Sequence, residues 1–322
     1  MTPAEVSVKP PVAGGAALRD APRVAVEIPT LLLIVADYAG WMAVTLAYGR
    51  WPLWLVATLG ALLLTLHGSL QHEIVHGHPT RWKGINRALG MVPLSLWLPF
   101  ERYRFTHRIH HRDARLTDPL DDPETFYWRP EDWVRLTPLT RLLVRVQQTL
   151  AGRVLVGSWW TMLRFAHGEL RLLWRAQDNA RRDWAEHLLW CVPVILWLKL
   201  ACGMPVWLYF VTIAIPSNGM VLIRSFAEHR ARPEPLQRVA VVEDSWLLGP
   251  LYLFNNLHSL HHETPLLAWY ELPARYRRER ARLLRENGGL VYRTYFDVAR
   301  RFLFRAHDDP QHPTGRVPAT PV

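Results

Sequence analysis

Four stretches of about twenty residues, 30–48, 53–71, 184–202 and 206–224, carry almost no charge, and that length is what a helix needs to cross the hydrocarbon core of a bilayer. Gly49-Arg50-Trp51-Pro52 joins the first two stretches and Gly203-Met204-Pro205 the last two. Such short links make hairpins, so the chain crosses and returns twice. The pattern predicts an all-α integral membrane protein with four transmembrane helices in two hairpins, plus a cytoplasmic helical cap. Pro216-Ser217-Asn218-Gly219 interrupts the fourth stretch. It either kinks the helix and opens a tunnel or packs against a neighbour. Residues 88–100 and 245–257 are apolar but too short or too broken to span, and read as interfacial or shallow re-entrant pieces. Residues 135–174 alternate Leu, Val and Trp with Arg, as amphipathic helices on a membrane surface do.

Around this core the expected parts are a disordered Pro/Ala/Gly tail over 1–29, a membrane domain over 30–275, a basic helical region over 276–306 and a disordered tail over 307–322. The formal net charge of the 322 residues is +10. The outer hairpins hold one arginine, Arg50, whereas nearly all other Lys and Arg fall in the N-terminal tail, in 73–183 or after Ile223. By the positive-inside rule both termini and the middle region are cytoplasmic. The basic face after Pro273 suits anionic membrane lipids or an acidic electron-donor protein. No zinc finger, KH or RRM signature accompanies the charge, so nucleic acid is not an expected partner. The two cysteines, Cys191 and Cys202, fall in or at the end of one apolar stretch and build neither a disulfide framework nor a thiolate metal site.

Of the fifteen histidines, eight fall in three tight groups: His72 and His76; His107, His110 and His111; His258, His261 and His262. Spacings of three and four share one helix face, so each group can aim its rings at one point. Imidazole suits Fe, Zn, Cu and Ni, so the spacing does not select the metal. Eight ligands exceed what one structural zinc takes, and two metal ions account for the number better.

These three boxes, of the forms H-x(3)-H, H-x-x-H-H and H-x-x-H-H, resemble those of the membrane fatty acid desaturase and hydroxylase superfamily. Their order and the two-hairpin topology over about residues 30–275 are similar too. The resemblance implies two Fe ions, dioxygen as co-substrate, a lipid acyl chain as substrate, and an electron donor such as a ferredoxin, cytochrome b5 or a reductase. It also implies a ninth ligand near the end of the fourth membrane helix, where His229 stands. The Asn that some relatives carry four residues earlier is Ser225 here. No catalytic residue separate from the metal ligands is expected. The segment 116–125 resembles a subset of bacterial desaturase-like proteins, which suggests a bacterial inner membrane. Asp118, Asp121 and Asp122 in it could accept N–H bonds from box histidines, or form only a self-capped acidic turn. Asn255 and Asn256 carry the same ambiguity.

Other readings stay open. The boxes do not separate a desaturase from a hydroxylase or ketolase of a lipid or carotenoid. In another class, the chain would be a non-catalytic membrane protein that binds metal or lipid. His72-Glu73-x-x-His76 also matches the zinc-protease signature, with Glu73 as general base, although the other two clusters would then have no role. His67, His167, His187, His307 and His312 read as ordinary polar residues near an interface. His78 has the wrong helical spacing from His76 to join it at a metal. Asp37, inside the first stretch, calls for a partner.

Overall fold

The computed structural model describes residues 24–111 and 115–313. Four helices are long and apolar enough to cross a membrane: Ile28–Leu46, Leu53–Val75, Ala180–Ala201 and Val206–Glu228. These are the four expected spans, and the second and fourth run about one turn further than the apolar pattern alone reaches. That extra turn carries polar side chains beside the histidines, His72 and Glu73 in one and Ser225 and Glu228 just before His229 in the other. Pro29 starts the first helix, where its fixed φ fits the first turn and its missing N–H costs nothing.

The spans leave large apolar side chains such as Leu32, Trp54, Leu189 and Leu200 exposed, as a lipid-facing surface requires. Between the spans the packing is tight. Leu64, Leu94, Leu198, Met204, Tyr209 and Ile213 form a buried cluster. Within it, Trp41 Nε1 donates to the Tyr209 hydroxyl (2.9 Å), which donates to the Leu94 carbonyl (2.7 Å). Gly60 lets the second span approach the fourth, because a Cβ there would lie 2.6 Å from Ile213 Cδ1. The fourth span contains a wide π-turn over Phe210–Ala214, directly before Pro216. A proline cannot donate to the turn above it, and a π-turn is one way a helix absorbs that loss. Asn218 donates to the Ser158 carbonyl and the Thr161 hydroxyl, both at 2.9 Å. The interruption is therefore a packing contact with the helix at Gly157–Arg175, and the same stretch lines a cavity through Ser217 and Asn218.

The expected surface helices are present as Pro138–Val146, Leu150–Leu155 and Gly157–Arg175. Leu150–Leu155 and Gly157–Arg175 pack against the fourth span, and Gly157–Arg175 also meets the short helix Phe100–His110, where Arg102 holds Glu169 through two bonds of 2.8 and 3.1 Å. Residues 88–100 hold the end of the short helix Lys83–Gly90 and a loop, and 245–257 contain the single helical turn Leu248–Leu251.

The basic C-terminal region divides at Gly288-Gly289 into two helices, Leu272–Glu286 and Tyr295–Phe302. Between them Val291–Tyr292 pairs in parallel with Val241–Val242. Two boundaries change. Residues 1–23 of the expected N-terminal tail lie outside the described residues, but Glu27 accepts from the Thr30 hydroxyl and donates its backbone N–H to the Pro79 carbonyl. Residues 307–313 are not a free tail: His307 N–H donates to the Gln148 carbonyl (2.7 Å) and His312 N–H to the Trp128 carbonyl (2.8 Å). The apolar pattern ends before this segment, so its backbone and side-chain bonds are what hold it.

Candidate metal centre

The two long spans that end in histidine, the helix Phe100–His110 and the helix His258–Glu263 converge at one end of the bundle. Nine rings meet there in two groups. His72, His76, His107, His111 and His261 offer nitrogens within 4.8 Å of one another, and so do His110, His229, His258 and His262. These are all nine histidines singled out from the sequence. His72 lies within the second span and His76 caps it; His229 follows the last residue of the fourth. Leu253 and Phe254 both take a left-handed backbone, φ 51° and 56°. This turn, strained for non-glycine residues, brings Asn255 and the third box under the first two.

Within each group the ring nitrogens face one another. Nε2 of His107 lies 3.2 Å from that of His76 and 3.0 Å from that of His111. In the second group His229 Nε2 is 3.0 Å from the Nε2 atoms of both His110 and His258. The other ring nitrogen has an acceptor in several cases. His107 Nδ1–H donates to Glu124 (3.0 Å), His110 Nδ1–H to Asp122 (3.0 Å) and His258 Nδ1–H to the Asn255 side-chain oxygen (2.9 Å). Those acceptors put the proton on Nδ1 and leave Nε2 with a lone pair. A cation among the rings would take up these lone pairs. A metal–imidazole distance of about 2.0–2.1 Å places neighbouring ligand nitrogens about 3.0–3.4 Å apart, which is the spacing seen. The donor set therefore fits metal.

The surrounding charges agree. Burial, together with the neighbouring rings, pushes His76, His111, His229, His258 and His261 well down, which keeps them neutral ligands. His110 is different: burial opposes its charge, but Glu124, Asp122 and Glu228 outweigh it and hold the ring up to about 9. Against its own burial, Glu124 is held below its ordinary range by His110 and His107. The carboxylates beneath the rings thus favour positive charge among them.

Of the five candidate orienting residues, Asp122 and Asn255 touch the boxes. Asn255 reaches both groups, with Nδ2 3.2 Å from His72 Nε2 and Oδ1 on His258. The other three turn elsewhere. Asp118 accepts from the Leu120 and Asp121 backbone N–H groups, as the self-capped turn would. Asp121 pairs with Arg115 at 2.8 Å, and Asn256 donates to the Val242 carbonyl at 2.6 Å. Two acidic residues escaped the sequence reading. Glu124 lies within the acidic segment but was passed over as part of the turn. Glu228, 3.2 Å from His258 Nδ1, adjoins His229, and that adjacency was the available signal.

Several of the remaining histidines have structural partners. His78 Nδ1 meets Glu27 at 2.5 Å, His187 Nε2 the Leu96 carbonyl at 3.1 Å and His307 Nε2 the Tyr292 hydroxyl at 2.6 Å. His67 lies 3.6 Å from Asp37, the partner that intramembrane carboxylate called for. The zinc-protease reading fails on geometry, because His72 and His76 share their site with three further histidines.

A cavity of about 640 Å³ reaches His110 and His229 and continues past Leu98, Phe165 and Val221. A family model described as fatty acid desaturase matches residues 48–296, a range that contains all nine histidines. No curated protein matches the chain.

Proposed function

The chain belongs to the fatty acid desaturase family, whose members are di-iron oxidoreductases, and from that premise we propose that it is an O2-dependent desaturase of a lipid acyl chain. Family membership carries with it a lipid substrate and an electron donor. The proposed metal ligands are His72, His76, His107, His111 and His261 for one iron and His110, His229, His258 and His262 for the other. The observation that carries the reading is the convergence of three boxes and His229 into two separate groups of five and four rings.

A reduced iron pair supplies the capacity to activate dioxygen toward an unactivated C–H bond. Everything else falls to the chain's own residues. Asp122, Glu124 and Asn255 orient box imidazoles through Nδ1, which fixes where their Nε2 atoms point. The cavity offers the acyl chain apolar side chains such as Leu98, Phe165 and Val221, and its volume lies within the range of ligand pockets. An alkyl chain has no polar handle along its length, so the carbon presented to the site follows from how far the chain can enter. The protein is proposed to sit in a bacterial inner membrane with both termini and the metal site on the cytoplasmic side. The arginine asymmetry of the sequence supports that orientation, and electrons would come from a ferredoxin, cytochrome b5 or a reductase.

The test is lipid mass spectrometry of cells with and without the protein. A new species lighter by two hydrogens supports desaturation. A species heavier by one oxygen overturns it in favour of hydroxylation.

A further inference from the structure

The cavity beside the metal centre has an unbalanced charge. Five carboxylates line it, and all are matched: Asp122 and Glu124 to imidazoles, Glu169, Glu228 and Asp308 to arginines. Four of its lining arginines, Arg153, Arg164, Arg171 and Arg175, make no ion pair among the described residues. Arg153 is the telling one, being only 4% exposed. Its Nε donates to the Gln147 carbonyl (2.9 Å), and its guanidinium lies 3.5 Å from the Phe126 ring centre and 5.5 Å from that of Phe226. Arg164 donates to the Thr125 carbonyl at 3.0 Å. Thr125 and Phe126 are adjacent, so both guanidinium groups border the same piece of chain. On the helix Gly157–Arg175, positions 164, 168, 171 and 175 share one face. Gly168 leaves space in the middle of that face, because a Cβ there would meet nothing within 4 Å.

A buried cation without a counter-charge is costly, and arginine cannot escape by losing its proton at neutral pH. Burial works against the charge on Arg153 and pulls it below the ordinary arginine value, whereas Arg164 lines the same cavity from an exposed position. Aromatic stacking recovers only part of that cost. An anionic group entering the cavity would supply the rest. We infer that Arg153 and Arg164 bind an anionic head group, a carboxylate or a phosphate, at the end of the acyl substrate, with Arg171 and Arg175 drawing it in. The planar guanidinium suits both oxyanions. This inference rests on the acyl-lipid reading above and narrows it: the substrate is an anionic lipid rather than a neutral one such as an alcohol, an ester or a carotenoid.

The test uses the full-length holoprotein in detergent and equilibrium binding of three probes with the same saturated chain: stearate, stearoyl lysophosphatidate and octadecanol. One or both anionic probes should bind roughly tenfold or more tightly than octadecanol, the scale expected of a charge-assisted contact. The tighter of the two identifies the head group. Arg164→Gln should abolish that preference and leave octadecanol binding as it was. Arg153→Gln should do the same, and if that buried substitution prevents folding, Arg164→Gln alone decides. Equal binding of all three probes by the unaltered protein, or a preference that survives Arg164→Gln, would overturn the inference while leaving the acyl-lipid reading intact. Failure of every probe to bind would overturn both.

Discussion

The Nε2 atoms of His110 and His229 lie 3.0 Å apart although 119 positions separate the residues. One ends the helix Phe100–His110 and the other follows the fourth span, and both belong to the same four-ring group. Asp122 holds a proton on His110 Nδ1, so Nε2 is the nitrogen turned toward His229. The distance matches the spacing expected of two ligands on one metal. His229→Ala should therefore lose one of the two irons and all turnover, and His110→Ala should behave alike. Iron analysis of the purified variants checks this. Full metal content in His229→Ala would remove that residue from the ligand set.

Asp122 and Glu124 should matter through the rings they orient. Asp122→Ala and Glu124→Ala are each expected to weaken metal binding about 10- to 100-fold. Asp118→Ala should not, because Asp118 caps its own turn. Chelator competition on the three variants measures the difference. Comparable losses in all three would mean that the loop's fold, rather than its contacts to His107 and His110, is what was disturbed.

The C-terminal segment bears on the same loop. Asp308 accepts from the Tyr127 hydroxyl (2.8 Å) and pairs with Arg230 (2.7 Å), while the His312 backbone is bonded to Trp128. Removing residues 307–322 should lower the melting temperature by several degrees and reduce iron content, since Tyr127 lies three residues after Glu124. A truncated chain with unchanged melting and iron content would show that the segment is only an attachment.

Packing between the second and fourth spans should tolerate no side chain at Gly60. Gly60→Val places its Cβ against Ile213 and is expected to cost about 1–3 kcal/mol, the usual scale of overpacking. Adding Ile213→Ala to the same chain should recover part of it. Thermal unfolding of both variants in detergent gives the comparison.

Much of this was legible in the sequence because membrane spans and histidine boxes are local patterns. Twenty uncharged residues announce a span wherever they occur, and H-x-x-H-H announces ring nitrogens on one helix face. His229 is a lone histidine with no local pattern, and its place came from family resemblance alone. Glu124 and Glu228 were missed for a related reason: a carboxylate that orients a ring looks the same in sequence as one that caps a turn, as Asp118 does. The division of nine rings into groups of five and four could not be read either, since His110 and His111 are neighbours in sequence yet fall in different groups. The segment 307–313 carries no apolar periodicity, and its contacts to Gln148, Tyr292, Arg230, Tyr127 and Trp128 reveal why it is held.

The central claim is that these rings hold two irons, one in each group. Metal analysis of the purified holoprotein, alongside His261→Ala and His258→Ala, tests it most directly. The expected result is two irons per chain, with one lost in each single variant and both lost when the substitutions are combined. A single metal ion per chain that survives His258→Ala would contradict it, and the oxidative chemistry would have to be abandoned with it.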